Sequence, residues 1–291
     1  MQPADTEPAA IAARLWPGRR VRFEPLGGVT NRNLKVTVDG NTFVLRVGGT
    51  ATKLLGIDRD AERAAVVAAA EAGVAPEVVA FVEPPGCLVT RYVQGEPVEA
   101  AQMREPHAIA KVADVLRRVH TGPPIPSQFD VFRVVETYRA SAVARGGRIP
   151  AEYERLKPVA DMIERLVPPH PIVPCHNHLL NSHVIEDGTG RIWLVDWEYA
   201  GMGDRFLDLA TFAVEHDFSE DEDAVLQAAY GVEDERSLVH MRFMSDLREA
   251  MWGVVQGAIS AADFDFGGYA AAHLERAQRT ADSDRFRRAM L

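Results

Sequence analysis

Three histidines, His176, His178 and His183, fall close together in the stretch VPCHNHLLNSHVIEDGTGRIWLVDWEYAGMGDRFLDL, and Asp196 follows at the end of the apolar run Ile192 to Val195. A polar loop followed by a strand that delivers a carboxylate at its tip suits the handling of phosphates and metal ions. Neutral imidazole offers one acceptor nitrogen and works as a general base near neutral pH. It also binds Zn²⁺, Mn²⁺, Fe or Cu better than Mg²⁺, which wants oxygen ligands. If the loop is extended, His176 and His178 share a face. With His183 and Asp196 they would then form a set of three nitrogens and one oxygen.

A second group of candidates lies near the start. Gly27-Gly28-Val29-Thr30-Asn31-Arg32-Asn33 is a tight polar stretch. Its glycines serve either an ordinary turn or a loop whose amides cover a phosphate. Arg46 stands between Leu45 and Val47, and alternation points it away from both. It is either a solvent-facing cation or one aimed at a phosphate or carboxylate. Glu62 falls in the first turn of a helix, where it favours the helix dipole or pairs with Arg46.

The elements that must position these groups follow from periodicity. Pro8 to Leu15 reads as a short helix, and Val21 to Leu26, Leu34 to Val38 and Thr42 to Val47 as strands, with Asp39-Gly40 as a two-residue hairpin turn. Asp58 to Ala72 is an Ala-rich helix with Gly73 as its C-cap. Val78 to Val82 and Cys87 to Val93 read as strands around the turn Glu83-Pro84-Pro85-Gly86. After Gln94-Gly95-Glu96-Pro97 the pattern turns helical: His107 to His120, Val131 to Ala144 and Ala151 to Leu166 precede the histidine stretch. Leu207 to Glu215, Glu220 to Tyr230, Glu235 to Ser260 and Phe266 to Arg279 follow it. The expectation is an α+β fold of two lobes: an antiparallel β-rich N-lobe over residues 1–95 and a larger α-helical C-lobe over 96–291. The cleft between lobes is the expected binding site.

Composition narrows the function. Apolar residues make up 47% of the chain and are spread along it, enough for a sizeable core. The net charge of −10 argues against a nucleic-acid surface. No apolar run spans a bilayer, and the N-terminal sequence has no basic segment leading into an apolar one, so a cytoplasmic location is expected. Cys87 and Cys175 are expected to be reduced thiols. The oligomeric state is not readable.

These motifs carry a resemblance. LGGVTNRN, VLRV, CLVTRYVQG, LRRVH, CHN with LL, DWEYAGMGD, LDLA, MWGVVQ and FDF together resemble the choline/ethanolamine kinase-like members of the aminoglycoside phosphotransferase group. The likeness runs over nearly the whole chain and implies the protein-kinase-like bilobal fold. It also implies ATP as donor, Mg²⁺ as metal, and the hydroxyl of an amino alcohol or similar small molecule as acceptor. By position, Gly27, Gly28, Thr30, Asn31 and Asn33 would belong to the loop over the phosphates. Arg46 would contact the phosphates and be held by Glu62, and Thr90 and Tyr92 would line the adenine. Asp196 would hold the metal.

The family's catalytic loop reads H-N-D-L-L-x-x-N. Here it is His176-Asn177-His178-Leu179-Leu180-Asn181-Ser182-His183. His178 replaces the proton-accepting aspartate, and His183 the metal-binding asparagine. With His183 as ligand, Mn²⁺ or another transition metal competes with Mg²⁺. Three readings stay open: a working phosphotransferase with His178 as base, a pseudokinase that binds nucleotide or a small ligand, and a His-rich transition-metal site. On the acceptor side the resemblance points to Glu198, Tyr199, Trp252, Phe264, Phe266 and Tyr269, whose aromatic faces suit a quaternary ammonium. Trp252 and Phe266 also read as ordinary core residues, and Asp208 as a support for the catalytic loop.

Overall fold

Residues 7–49, 52–83 and 86–291 are described by the computed structural model. Pro84 and Pro85 of the expected turn and the first six residues of the N-terminal stretch lie outside them. A proline at the first helical position starts α1 (Pro8–Leu15). Three strands follow: β1 (Val21–Gly27), β2 (Arg32–Val38) and β3 (Asn41–Val47). Asp39 and Gly40 both have positive φ, at 48° and 82°, as the expected two-residue hairpin between β2 and β3 requires. After α2 (Arg59–Glu71) come β4 (Val78–Val82) and β5 (Cys87–Arg91), which complete an antiparallel sheet in the order β1-β2-β3-β5-β4.

The pleat gives the sheet two different faces. Leu34, Val36, Val38, Phe43, Leu45, Val47, Cys87 and Val89 form an apolar cluster with Ile11 of α1. On the opposite face, Asn33 pairs with Arg46, and Thr90 pairs with Val44 two residues from Arg46, so all three point to the same side. Leu88 on that face joins the large core shared with α2 and the helical lobe. The strand expected to run to Val93 stops at Arg91, and the Tyr92 amide instead donates to the Thr42 carbonyl at 3.1 Å.

The helical lobe contains α3 (Ala100–Met103), α4 (Pro106–His120), α5 (Val131–Ala144) and α6 (Ala151–Leu166). It continues with α7 (Arg205–Glu215), α8 (Glu220–Tyr230), α9 (Glu235–Ile259), α10 (Phe266–Asp282) and α11 (Asp284–Ala289). Helix α9 is buried along most of its length and packs against α5, α7 and α10. The expected α+β bilobal architecture is the one observed.

Two small sheets lie within this lobe. β6 (Gly95–Pro97) pairs with β8 (Val184–Asp187), which pairs with β9 (Ile192–Leu194). Gly95 is required there, since a Cβ would meet the Glu186 carbonyl oxygen at 2.3 Å. β7 (Ile172–Cys175) pairs with β10 (Gly201–Asp204). Between them these strands fix both ends of the histidine stretch. Cys87 and Cys175 are free and buried. No helix among the described residues is long and apolar enough to cross a membrane.

Candidate active site

The histidine stretch begins where β7 ends. Its backbone is held by Asp208, in the first turn of α7, which accepts the amides of His176 and Asn177 at 2.8 and 2.6 Å. The same carboxylate lies 3.0 Å from His120 Nε2, and His120 Nδ1 lies 2.7 Å from the Tyr230 hydroxyl. Burial acts to raise the Asp208 pKa, but the His120 hydrogen bond and the neighbouring donors outweigh it and hold it below the usual value. Asn177 takes a left-handed turn (φ 61°), and its side-chain amide donates to the Tyr199 carbonyl at 3.1 Å.

His176 is committed to this frame. Its Nδ1 accepts the His178 amide at 3.3 Å, so Nε2 carries the proton and donates to the Val195 carbonyl at 3.0 Å. Burial lowers its pKa to about 4. Neither nitrogen is left for a metal, so the four-ligand set of His176, His178, His183 and Asp196 is not assembled. Among the described residues, the group with ligand-like spacing is His120, Cys175 and Asp208. Asp208 there is already occupied by the amides it accepts.

His183 and Asp196 do meet. His183 Nδ1 donates to the His178 carbonyl at 2.8 Å, which leaves Nε2 with a lone pair 3.6 Å from Asp196 Oδ2. Asp196 follows β9 in a left-handed conformation (φ 64°), and its Oδ1 lies 3.5 Å from Arg46 Nη1. His178 is buried, with its ring edge-on to Tyr199 at 4.9 Å and to His183 at 5.0 Å. Its Nε2 lies 3.7 Å from Glu249 Oε1, and its Nδ1 has no partner. Burial, reinforced by Arg248 and the two other histidines, holds its pKa well below the ordinary value, so the ring is neutral at pH 7.

A charged cluster joins the lobes. Arg46 pairs directly with Glu62. Burial lowers the Arg46 pKa while Asp196 opposes the shift. Arg59 bonds Glu62 at 2.7 Å and the Asn31 side-chain carbonyl at 3.1 Å. Asn31 Nδ2 in turn donates to Glu198 at 2.8 Å. Glu198, expected among the acceptor groups, therefore sits with the glycine loop, because a buried carboxylate finds its donors there. Burial and the charge of Asp196 raise its pKa to about 7, against the pull of Arg46. Arg59 escaped sequence reasoning, although its spacing three residues before Glu62 on a helix was a usable signal.

The glycine loop itself is tight. Gly28 has φ 121°, and a Cβ would meet the Asn31 carbonyl oxygen at 2.4 Å. Gly27 also has positive φ, and Thr30 Oγ1 accepts from Gln256 Nε2 of α9 at 3.4 Å. Tyr92 lies farther along, beneath the Lys35 ammonium at 4.4 Å.

On the other side of His178, Trp252 Nε1 donates to the Tyr199 hydroxyl at 3.0 Å. Trp252 packs edge-on against Phe266 at 5.9 Å and Tyr269 at 5.4 Å, and Phe264 closes the cluster against Phe266 at 4.9 Å. The Tyr269 hydroxyl donates to Glu249 at 2.8 Å. Arg248 was not foreseen: it is a buried cation inside an apolar helix, and nothing in its spacing marks it.

The donor set can be tested against the groups it would have to hold. Gly28 lets the loop fold tightly onto its own Asn31 carbonyl, and Arg46 and Arg59 supply cations beside it, so this corner suits the phosphates of a nucleotide. Asp196 with the free Nε2 of His183 suits one divalent ion, and the imidazole shifts the preference from Mg²⁺ toward Mn²⁺ or another transition metal. The oxygen-only pair that Mg²⁺ prefers is not present at these two positions.

The same frame occurs in known proteins. The sequence pattern of the phosphotransferase enzyme family (APH) matches residues 23–244. Protein LicA of Haemophilus influenzae is 28% identical over 213 residues, 69% of this chain and 60% of LicA, so the match spans less than two thirds of that relative. A choline/ethanolamine kinase family protein from Mesorhizobium loti has a TM-score of 0.82 at 29% identity, covering 97% of this chain and 96% of that one. Choline kinase LicA from Streptococcus pneumoniae gives a TM-score of 0.83 at 22% identity, covering 93% and 95%. At that identity its likeness speaks to the fold alone. With most of its length matched and its two-lobe architecture shared, this chain belongs to the phosphotransferase enzyme family and has the choline/ethanolamine kinase-like fold.

Proposed function

We propose that the protein is an ATP-dependent phosphotransferase acting on the hydroxyl of a small molecule, an amino alcohol or similar, with His178 as general base. The observation that carries this reading is the meeting of Arg46, Asp196, His183 and His178 at one point between the lobes. The name of the Mesorhizobium protein supports the amino-alcohol class.

In this reading the amides of Gly27 to Asn33 and the Arg46 guanidinium hold the phosphates, and Glu62 and Arg59 fix Arg46 in place. Thr90 and Tyr92 border the adenine. Asp196 and His183 Nε2 would hold a divalent ion, which would supply charge neutralisation for the phosphates. The acceptor hydroxyl lies against His178 Nδ1. As its oxygen forms a bond to the γ-phosphorus, its proton passes to Nδ1 and the bond to the ADP oxygen breaks. The imidazolium then returns the proton to solvent. The low pKa keeps His178 ready to accept but makes it a weak base, so rate depends on positioning more than on basicity.

Turnover of ATP with a panel of amino alcohols and other small alcohols, under Mg²⁺ and Mn²⁺, tests the reading. Product is expected from the parent chain and not from Asp196→Ala. No product with any acceptor would overturn it.

A second reading, a nucleotide- or ligand-binding protein without transfer, is favoured by the depressed pKa of His178. It predicts thermal stabilisation by nucleotide with no product formed.

A further inference from the structure

We propose that the acceptor site is built for a hydroxyl compound carrying a carboxylate, with Arg248 as the residue that holds that group. The inference rests on the phosphotransferase reading for the role of the hydroxyl; it departs from the amino-alcohol acceptor of that reading and puts a hydroxy acid in its place, on separate observations.

Arg248 lies in the middle of α9 with its side chain 2% exposed. Its guanidinium carbon sits 4.5 Å above the Tyr199 ring and 5.8 Å from that of Phe129. An ammonium group seeking the Tyr199 face by cation–π attraction finds that face already covered by the chain's own cation. Nη1 pairs with Glu249, whose Oε1 also faces His178 Nε2 at 3.7 Å. The pair places Arg248 beside the proposed base and neutralises the Glu249 charge.

The other edge of the guanidinium is bare. Nε and Nη2 are both buried and have no hydrogen-bond partner. These two N–H groups lie side by side on one edge of a planar fork, the geometry that a carboxylate fills with two parallel hydrogen bonds. Buried donors are nearly always paired, with protein, ordered water or a ligand. His178 Nδ1 is bare as well, and Glu249 Oε1 lies against both side chains; in the proposal one ligand presents its carboxylate to Arg248 and its hydroxyl to His178.

Charge points the same way. An aspartate at position 178 would give an ammonium acceptor a negative neighbour, and His178 gives none. Glu198 is tied to Asn31 and Arg59. A cationic acceptor would thus meet a guanidinium and no spare carboxylate among these groups.

The test is a thermal-shift and calorimetric panel on the full parent chain with glycolate, lactate and 3-hydroxypropionate, against choline and ethanolamine. At least one hydroxy acid is expected to raise Tm in a saturable way, and choline is not. Arg248→Met should weaken that binding on the order of thirtyfold or more, and Arg248→Lys should recover part of it. The parent panel decides even if Arg248→Met fails to fold. Stabilisation by choline or ethanolamine but by no hydroxy acid would overturn the proposal, as would a panel in which nothing binds. Binding of a hydroxy acid without phosphoryl transfer would count against the phosphotransferase reading and leave this one standing. Transfer to choline would do the reverse.

Discussion

Glu198 is buried between the glycine loop and Asp196, where burial and the charge of Asp196 raise its pKa to about 7. A carboxyl whose pKa is raised on folding stabilises fully below its ordinary range, and the contribution is lost as pH rises through about 7. Glu198→Gln keeps an acceptor for Asn31 and cannot ionise. It should therefore match the parent in acid and exceed it above neutrality, by on the order of 2 kcal/mol or a few degrees in Tm. Melting curves across pH check this, and equal Tm values at pH 8 would contradict it. In the proposed reaction His178 carries the chemistry at this scale. Replacing it with Gln should lower kcat about 10²- to 10⁴-fold with little change in nucleotide affinity, measured by steady-state kinetics and nucleotide titration. Both histidine exchanges were visible in the sequence, because they stand in a motif of fixed spacing. Arg59 was missed although its spacing from Glu62 was a usable signal, and Arg248 was not legible because the Tyr199 face it covers comes from another part of the fold.

At the scale of elements, the junction of β7 with the histidine loop hangs on α7. Asp208 gathers two backbone amides and His120, and it sits in the lobe's core. Asp208→Ala leaves those donors buried without an acceptor and should cost about 3–5 kcal/mol, or roughly 10 °C in Tm. Asp208→Asn keeps one accepting oxygen and should cost less. Calorimetry of both variants checks the order. The support role of Asp208 was readable from its place at a helix start. Its link to His120 was not, because the two are far apart in the chain. The long helices followed from their apolar period, whereas β6, β7 and β10 are three or four residues long and rich in Gly or Pro, too short for alternation to register.

At the scale of the whole molecule, the contacts between the lobes include Arg46–Asp196, Asn31–Glu198 and Thr30–Gln256. All three contacts flank the place assigned to the phosphates, so nucleotide binding and lobe closure should be one event. ATP with Mn²⁺ at a hundredfold over its Kd should stabilise the protein by about 2.7 kcal/mol, and Arg46→Ala should remove most of that gain. A scanning-fluorimetry titration reads both. Two lobes were expected from the change of strands into helices. The way the glycine loop is bonded to α9 was not, because a polar turn looks the same in sequence whether it faces solvent or another lobe.

The central claim is that His178 serves phosphoryl transfer in a loop that has lost its usual aspartate. The most direct measurement is ³¹P NMR of ATP with the parent chain, the acceptor panel and Mn²⁺ or Mg²⁺, run beside His178→Gln. A new phosphomonoester resonance from the parent, nearly absent with His178→Gln, is the predicted result. ATP bound by the parent with no such resonance, or an equal one from His178→Gln, would contradict it.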